Sequence, residues 1–148
     1  MSAEQGTVER NGGRRRLGAG PAGFRARVLV VDDDVVDRMA VRRHLAGAPG
    51  EILVDEAEGV LAAIDRLTAE PFDCVVLDYN LPDGDGLTFL RGLRSAGLEV
   101  PVVMLTGQDD AEVARDLILS GAAAYIPKAS VSTELLHASI RDAMRTAA

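Results

Sequence analysis

An aspartate stands directly after a short apolar segment near the middle of the chain. Residues 74–77 are all apolar, Asp78 follows them, and residues 79–86 are rich in Asn, Pro, Asp and Gly. An unbroken apolar run bounded by turn-forming residues is typical of a strand buried on both faces of a parallel sheet. In open α/β sheets, ligands bind beyond the carboxyl ends of the strands. The position of Asp78 therefore predicts a functional carboxylate.

Polar side chains also follow other predicted strands. Asp32 and Asp33 follow the first strand, Thr106 follows the fourth, and Lys128 follows the fifth. Because all strands of a parallel sheet end at the same edge, we expect these side chains to converge near Asp78.

This set of side chains predicts phosphoryl chemistry. Carboxylates held close together repel one another unless a cation lies between them. Hard oxygen ligands suit Mg²⁺, which leaves coordination sites for a phosphate. Thr106 and Lys128 can then hold phosphoryl oxygens by hydrogen bond and charge. The reaction indicated is phosphoryl transfer onto Asp78.

Each residue also has an ordinary structural explanation when it is taken alone. An Asp after a strand is usually a helix cap or turn former, and we interpret Asp34 and Asp37 in this way. Thr106 alone is more often a turn hydroxyl, and Lys128 alone a solvated charge. The functional interpretation is favoured because the polar residues follow the strands in order.

The elements that must position this set alternate along the chain. The predicted strands are residues 28–31, 52–54, 74–78, 102–105 and 123–126. Each is followed by a helical stripe of apolar residues, for example Val60, Ile64 and Leu67, and Asp109 or Asp110 caps the fourth helix. Five strand-then-helix units favour an α/β fold, with one parallel sheet and helices on both faces.

Composition limits the class of protein. A chain of 148 residues with 47% apolar residues fits one globular core. The single cysteine, Cys74, lies in an apolar run, so no disulfide framework is expected and a cytoplasmic location fits. No apolar run approaches the roughly 20 residues of a membrane span.

The charge is distributed unevenly. Residues 1–26 carry a net charge of +3 and are predicted to be a flexible basic tail, whereas the domain at 27–148 carries −10. A domain this acidic repels a phosphate backbone, so nucleic-acid binding by the domain is not expected.

Over residues 27–145 the chain resembles a response-regulator receiver domain of two-component signalling, of the single-domain, chemotaxis-regulator-like kind. Four motifs carry the resemblance: Val30-Val31-Asp32-Asp33, Leu77-Asp78-Tyr79-Asn80-Leu81-Pro82, Leu105-Thr106-Gly107 and Tyr125-Ile126-Pro127-Lys128. The resemblance implies a doubly wound, flavodoxin-like sheet with strand order 2-1-3-4-5. It also implies a signalling phosphoacceptor that catalyses its own phosphorylation and dephosphorylation, and not an enzyme acting on other substrates.

The resemblance further implies roles for individual residues. Asp78 is the phosphoacceptor, and Mg²⁺ is bound by Asp33, Asp78 and the backbone carbonyl of Asn80, with Asp32 acting through water. Thr106 and Lys128 contact the phosphoryl group. Tyr125 swings inward when Thr106 moves, which switches the surface of the fourth helix, fifth strand and fifth helix; its structural alternative is a half-buried core tyrosine. Asn80 and Gln108 stand where the family tunes the lifetime of the acyl phosphate.

The expected phosphodonor is a sensor histidine kinase or a histidine phosphotransfer protein, docking on the first helix near Arg38 and Arg42. The downstream target is an unidentified protein, and a homodimer is among the oligomeric states that the sequence leaves open. One departure from the family is that Ala129, and not proline, follows Lys128. We expect the loop after Lys128 to differ in shape.

Three other interpretations compete. A haloacid-dehalogenase-type phosphatase would place its nucleophile on the first strand, and its later acidic pair is missing. A nucleotide hydrolase would need a Gly-x-x-x-x-Gly-Lys-Ser/Thr loop, which the sequence lacks. A pseudo-receiver, an interaction module that never takes phosphate, is the main alternative, although the intact Asp33, Asp78, Thr106 and Lys128 argue against it.

Overall fold

The computed structural model of the chain describes residues 23–107 and 110–147. Most of the predicted basic tail, together with Gln108 and Asp109, lies outside the described residues. Among the helices that are described, none has the length and apolar character needed to cross a membrane.

Five parallel strands form the central sheet. They are β1 (Arg25–Val31), β2 (Glu51–Ala57), β3 (Cys74–Asp78), β4 (Val102–Thr106) and β5 (Ala124–Pro127). Their order across the sheet is β2-β1-β3-β4-β5, with every neighbouring pair parallel. The predicted doubly wound, flavodoxin-like fold is therefore confirmed.

Five helices cover the two faces of the sheet. They are α1 (Val35–Ala46), α2 (Val60–Ala69), α3 (Gly86–Ser95), α4 (Ala111–Leu119) and α5 (Thr133–Ala147). A short hairpin pairs Asn80–Leu81 with Gly84–Asp85, and Lys128–Ser130 form one 3₁₀ turn. Asp110 caps α4 by accepting from the backbone N–H of Glu112, so the second of the two expected caps is present.

The sheet separates two apolar cores because successive residues of a strand point to opposite faces. Val28 and Val30 of β1 pack on the side of α1 and α5. Leu29 and Val31 pack on the side of α2, α3 and α4. Burial on both faces explains why the central strands are continuous apolar runs.

The first strand begins earlier than expected. Residues up to 26 were predicted to belong to the tail, but β1 begins at Arg25 and the ring of Phe24 is already buried. Pairing with β2 is the reason: the backbone N–H of Glu51 donates to the Phe24 carbonyl at 2.8 Å.

The second strand is longer than the predicted residues 52–54. It continues through Asp55 and Glu56, whose charged side chains interrupt the apolar pattern from which a strand is predicted. Both carboxylates are paired: Arg27 of β1 contacts Asp55, and Arg38 of α1 contacts Glu56. An edge strand accepts charged residues of this kind because they find partners beside the sheet.

Candidate functional site

Three carboxylates meet at the carboxyl edge of the sheet. Asp32 follows β1 directly and Asp78 is the last residue of β3, the neighbouring strand. Both are buried, whereas Asp33 is exposed. One carboxylate oxygen from each of the three lies within 4.8 Å of the others. The sheet therefore brings together the acidic residues that the sequence predicted.

Backbone groups hold the two buried carboxylates in place. The N–H of Asp34 donates to Oδ1 of Asp32 at 2.9 Å, and the N–H of Asn80 donates to Oδ1 of Asp78 at 3.3 Å. Asn80 is exposed in the short hairpin beside the site. These contacts hold the carboxylates and leave them with further oxygen lone pairs that can accept hydrogen bonds or bind a cation.

The ammonium of Lys128 lies close to the buried carboxylates of this site. Its Nζ lies 2.7 Å from Asp37, 3.2 Å from Asp32 and 3.4 Å from Asp78. Lys128 begins the 3₁₀ turn after β5, and no peptide bond among the described residues is cis. Lys128 therefore reaches Asp78 with Ala129, and not proline, as the next residue.

Burial and mutual repulsion shift the pKa values of the acidic groups. Burial, reinforced by the charge of Asp32, raises the pKa of Asp78 to about 6, and burial also raises the pKa of Asp32. Although burial acts to lower the pKa of Lys128, the hydrogen bond to Asp37 and the nearby carboxylates together raise it. The site thus favours additional positive charge beside a lysine that stays cationic.

The remaining predicted residues lie on β4 and β5 or directly after β4. Thr106 ends β4 and is buried, and it is paired in register with Pro127 of β5. Tyr125 is half-buried on β5, and its hydroxyl accepts a hydrogen bond from the backbone N–H of Asp110 at 3.1 Å. Among the described residues other than its chain neighbours, no atom lies within 4 Å of a Cβ built at Gly107.

The interpretation of Asp37 as a cap or turn former is wrong. Asp34 is the cap of α1, since its carboxylate accepts from the N–H of Val36 at 2.8 Å. Asp37 instead binds Lys128. The available signal was spacing, because Asp37 lies three residues after the cap and so remains at the end of α1 nearest the sheet edge.

The expected docking role of Arg38 is also wrong in part. Arg38 is only 8% exposed, and it donates to the backbone carbonyl of Asp32 at 2.8 Å and to Glu56 at 2.7 Å. Arg42 is more exposed but also binds Glu56. Arg38 therefore supports the acidic loop from within, and its guanidinium is not presented to a partner.

The fold and this edge define the class of protein: a doubly wound α/β domain with an acidic pocket and a facing lysine. The family model of the response regulator receiver domain matches residues 28–141. The chain belongs to this family, which confirms the resemblance seen in the motifs.

Curated relatives match most of this chain. Response regulator MprA of Mycolicibacterium vanbaalenii is 38% identical over 112 residues, covering 74% of this chain and 47% of the relative. A protein-glutamate methylesterase/protein-glutamine glutaminase of Treponema denticola is 33% identical over 108 residues, covering 72% of this chain and 29% of the relative. The chain thus spans less than half the length of these curated relatives.

Solved structures show the same fold. The receiver domain of Francisella response regulator 1452 is 26% identical, with a TM-score of 0.72 and coverage of 82% of this chain and 98% of that one. A two-component response regulator of the LuxR family from Aurantimonas sp. SI85-9A1 is 29% identical, with a TM-score of 0.71 and coverage of 78% and 82%.

Proposed function

We propose that this receiver domain accepts a phosphoryl group on Asp78 from a phosphohistidine donor in a Mg²⁺-dependent reaction. The observation that carries the proposal is the meeting of Asp32, Asp33 and Asp78 within 4.8 Å, with the ammonium of Lys128 3.4 Å from Asp78. A buried carboxylate between a cation site and a lysine suits nucleophilic attack on an anionic phosphorus centre.

The residues present fit a magnesium ion. All three groups are hard oxygen donors, and the pKa values of Asp32 and Asp78 are raised, as expected where a cation would relieve burial and repulsion. Asp33, Asp78 and the backbone carbonyl of Asn80 would bind the ion directly, and Asp32 would act through water. When bound, the ion would offset the charge of the incoming phosphoryl group.

The proposed step is an in-line displacement. A carboxylate oxygen of Asp78 forms a bond to phosphorus while the phosphorus–nitrogen bond of the donor breaks. The imidazole, protonated on its other nitrogen, leaves as a neutral ring with the electron pair of the broken bond. Lys128 and the hydroxyl of Thr106 would hold phosphoryl oxygens by charge and hydrogen bond. The product is an acyl phosphate on Asp78, and water would later hydrolyse it.

The proposed output is a change on the surface formed by α4, β5 and α5. Thr106 would move toward the phosphoryl group and Tyr125 would swing inward, so that phosphorylation biases two states of this surface. The hydrogen bond of the Tyr125 hydroxyl to the start of α4 supports the proposal, because it links β5 to the helix that would respond. A histidine kinase or phosphotransfer protein would be the donor and a target protein the recipient.

The test is phosphorylation by acetyl phosphate in the presence of Mg²⁺, followed by intact mass. The expected result is a gain of one phosphoryl group, absent in Asp78→Ala and absent when the metal is chelated. Beryllofluoride binding is measured in parallel, because a short-lived acyl phosphate can escape detection by mass.

The outcomes separate the competing functions. Slow loss of one phosphoryl group supports a receiver, whereas rapid turnover of acetyl phosphate would favour a phosphatase. Absence of both a phosphoryl adduct and beryllofluoride binding would contradict the proposal and favour a phosphorylation-independent interaction module.

A further inference from the structure

The ammonium of Lys128 is shared unequally among three carboxylates. The contact with Asp37, at 2.7 Å, has the length of a charge-assisted hydrogen bond. The contacts with Asp32 and Asp78 are longer, at 3.2 and 3.4 Å. In this state, the shortest bond of the lysine is therefore to Asp37 on α1, and not to Asp78.

Asp37 differs from the other two partners of the lysine. It lies outside the group of carboxylates that could hold a metal ion, which consists of Asp32, Asp33 and Asp78. Its side chain is 38% exposed, whereas those of Asp32 and Asp78 are 3% and 6% exposed. A cation bound among the three would engage Asp33 and Asp78 directly and Asp32 through water, and it would leave Asp37 to Lys128.

We propose that Asp37 is a positioning residue that competes with the phosphoryl group for Lys128. The inference rests on the proposed function, since it assumes that Lys128 contacts a phosphoryl group on Asp78. The ammonium has three N–H donors and can keep Asp37 as a partner, but the carboxylate then shares the positive charge that would otherwise act on the phosphoryl oxygens alone. The carboxylate of Asp37 therefore disfavours the phosphorylated state and moderates how readily the domain takes and keeps phosphate.

A neutral variant tests the direction of this effect. Asp37→Asn preserves the shape of the side chain and removes its charge, so it should bind beryllofluoride in Mg²⁺ about fivefold more tightly than the unaltered protein. Asp37→Glu restores the carboxylate and should return the affinity toward the original value. Equal or weaker binding by Asp37→Asn would overturn the proposal.

Two controls separate competition for Lys128 from a general loss of negative charge. Glu58 is exposed just after β2, at the same edge of the sheet, and is not among the carboxylates that contact Lys128. Glu58→Gln should leave the affinity unchanged. In a Lys128→Gln background, Asp37→Asn should no longer tighten binding. If either control showed the same gain in beryllofluoride affinity as Asp37→Asn alone, the effect would not act through Lys128.

The state of Lys128 can be followed directly by NMR spectroscopy. Lys128 is the only lysine in the chain, so lysine labelled with ¹³C at Cε gives one side-chain signal that needs no assignment. Asp37→Asn should shift this signal in the unligated protein, and beryllofluoride should move both proteins toward a common position. An unmoved signal in the variant would contradict the proposal.

Failure of the proposed function has a different signature. If the unaltered protein binds no beryllofluoride, its lysine signal stays unchanged on addition of the mimic, and both the function and this inference fall. If the unaltered protein binds beryllofluoride and the Asp37 variants bind it with the same affinity, the proposed function stands and only the role of Asp37 is wrong.

Discussion

The guanidinium of Arg38 donates a hydrogen bond of 2.8 Å to the backbone carbonyl of Asp32. The same side chain reaches Glu56 at 2.7 Å, and this contact is the main reason that the pKa of Glu56 is lowered. One nearly buried cation thus joins α1, the end of β2 and the loop that carries the acidic pair. The position of Asp32 depends on a residue that takes no part in the chemistry.

Removing Arg38 should therefore destabilise the fold. Arg38→Met leaves the Asp32 carbonyl without this donor and removes one of two arginines from Glu56, so we expect a loss of about 2–3 kcal/mol in the free energy of unfolding. Urea denaturation measures this loss in the free energy of unfolding. Arg43→Met, at an exposed position of the same helix, should change stability by less than about 0.5 kcal/mol. Equal losses in the two variants would contradict the role given to Arg38.

Stability in chelator should depend on the charge of Asp78. Its pKa is raised from 3.8 to about 6 on folding, so between these values the folded protein binds more protons than the unfolded chain. This contribution makes the fold less stable as pH rises from about 4 to about 6, and the cost reaches about 2–3 kcal/mol at pH 7. Asp78→Asn should accordingly be more stable than the unaltered protein at pH 7, with the difference vanishing near pH 4.

Urea denaturation at several pH values in chelator checks this expectation. Asp65→Asn, an exposed substitution on α2, serves as the matched control for the loss of one carboxylate. If Asp78→Asn raised the free energy of unfolding by the same amount at every pH, titration of Asp78 would be excluded as the cause.

Magnesium should stabilise the folded domain, because the proposed ligands come together only in the fold. At a concentration ten times the dissociation constant, the gain is about 1.4 kcal/mol. Asp33→Asn should abolish most of this gain and have little effect without metal, since Asp33 is exposed. Thermal denaturation with and without Mg²⁺ provides the measurement. Full stabilisation of the Asp33 variant would remove Asp33 from the set of ligands.

Two glycines of α3 should respond oppositely to alanine. A Cβ at Gly86 would lie 2.7 Å from Sδ of Met104 and 3.0 Å from Cα of Tyr79, so Gly86→Ala should cost about 1–3 kcal/mol. A Cβ at Gly92 meets no described atom within 4 Å outside its own stretch of helix, and Gly92→Ala should stabilise the helix by about 0.5–1 kcal/mol. Urea denaturation of both variants checks the pair. A stable Gly86→Ala protein would show that Met104 moves aside at low cost.

The hydroxyl of Tyr125 should matter for the response and not for binding. Tyr125→Phe removes the acceptor for the Asp110 N–H, while the ring can keep its packing. We expect beryllofluoride affinity to change by less than about twofold, because a single exposed hydrogen bond contributes little. The beryllofluoride-induced shifts of amide signals in the first turn of α4 should shrink. Unchanged shifts would argue that Tyr125 is only a core residue.

The architecture and the composition of the site follow from the amino-acid sequence. Buried parallel strands require continuous apolar runs, so segments such as residues 74–77 mark the strands. Since parallel strands end at one edge, the polar residues that follow them have to meet there. The strand order, which the family resemblance implied and the alternating pattern did not, then places Asp32, Asp78 and Lys128 together.

The pairing of individual charged groups follows only from the packing of the folded chain. Asp37 holds the shortest bond to Lys128, and Arg38 lies buried beneath the acidic loop. Residues Asp55 and Glu56 extend β2 because arginines of other elements neutralise them. These pairings join residues distant in sequence, and side-chain reach across packed elements sets them. Periodicity reports only which face of an element is apolar, so it cannot say which carboxylate an arginine or lysine will contact.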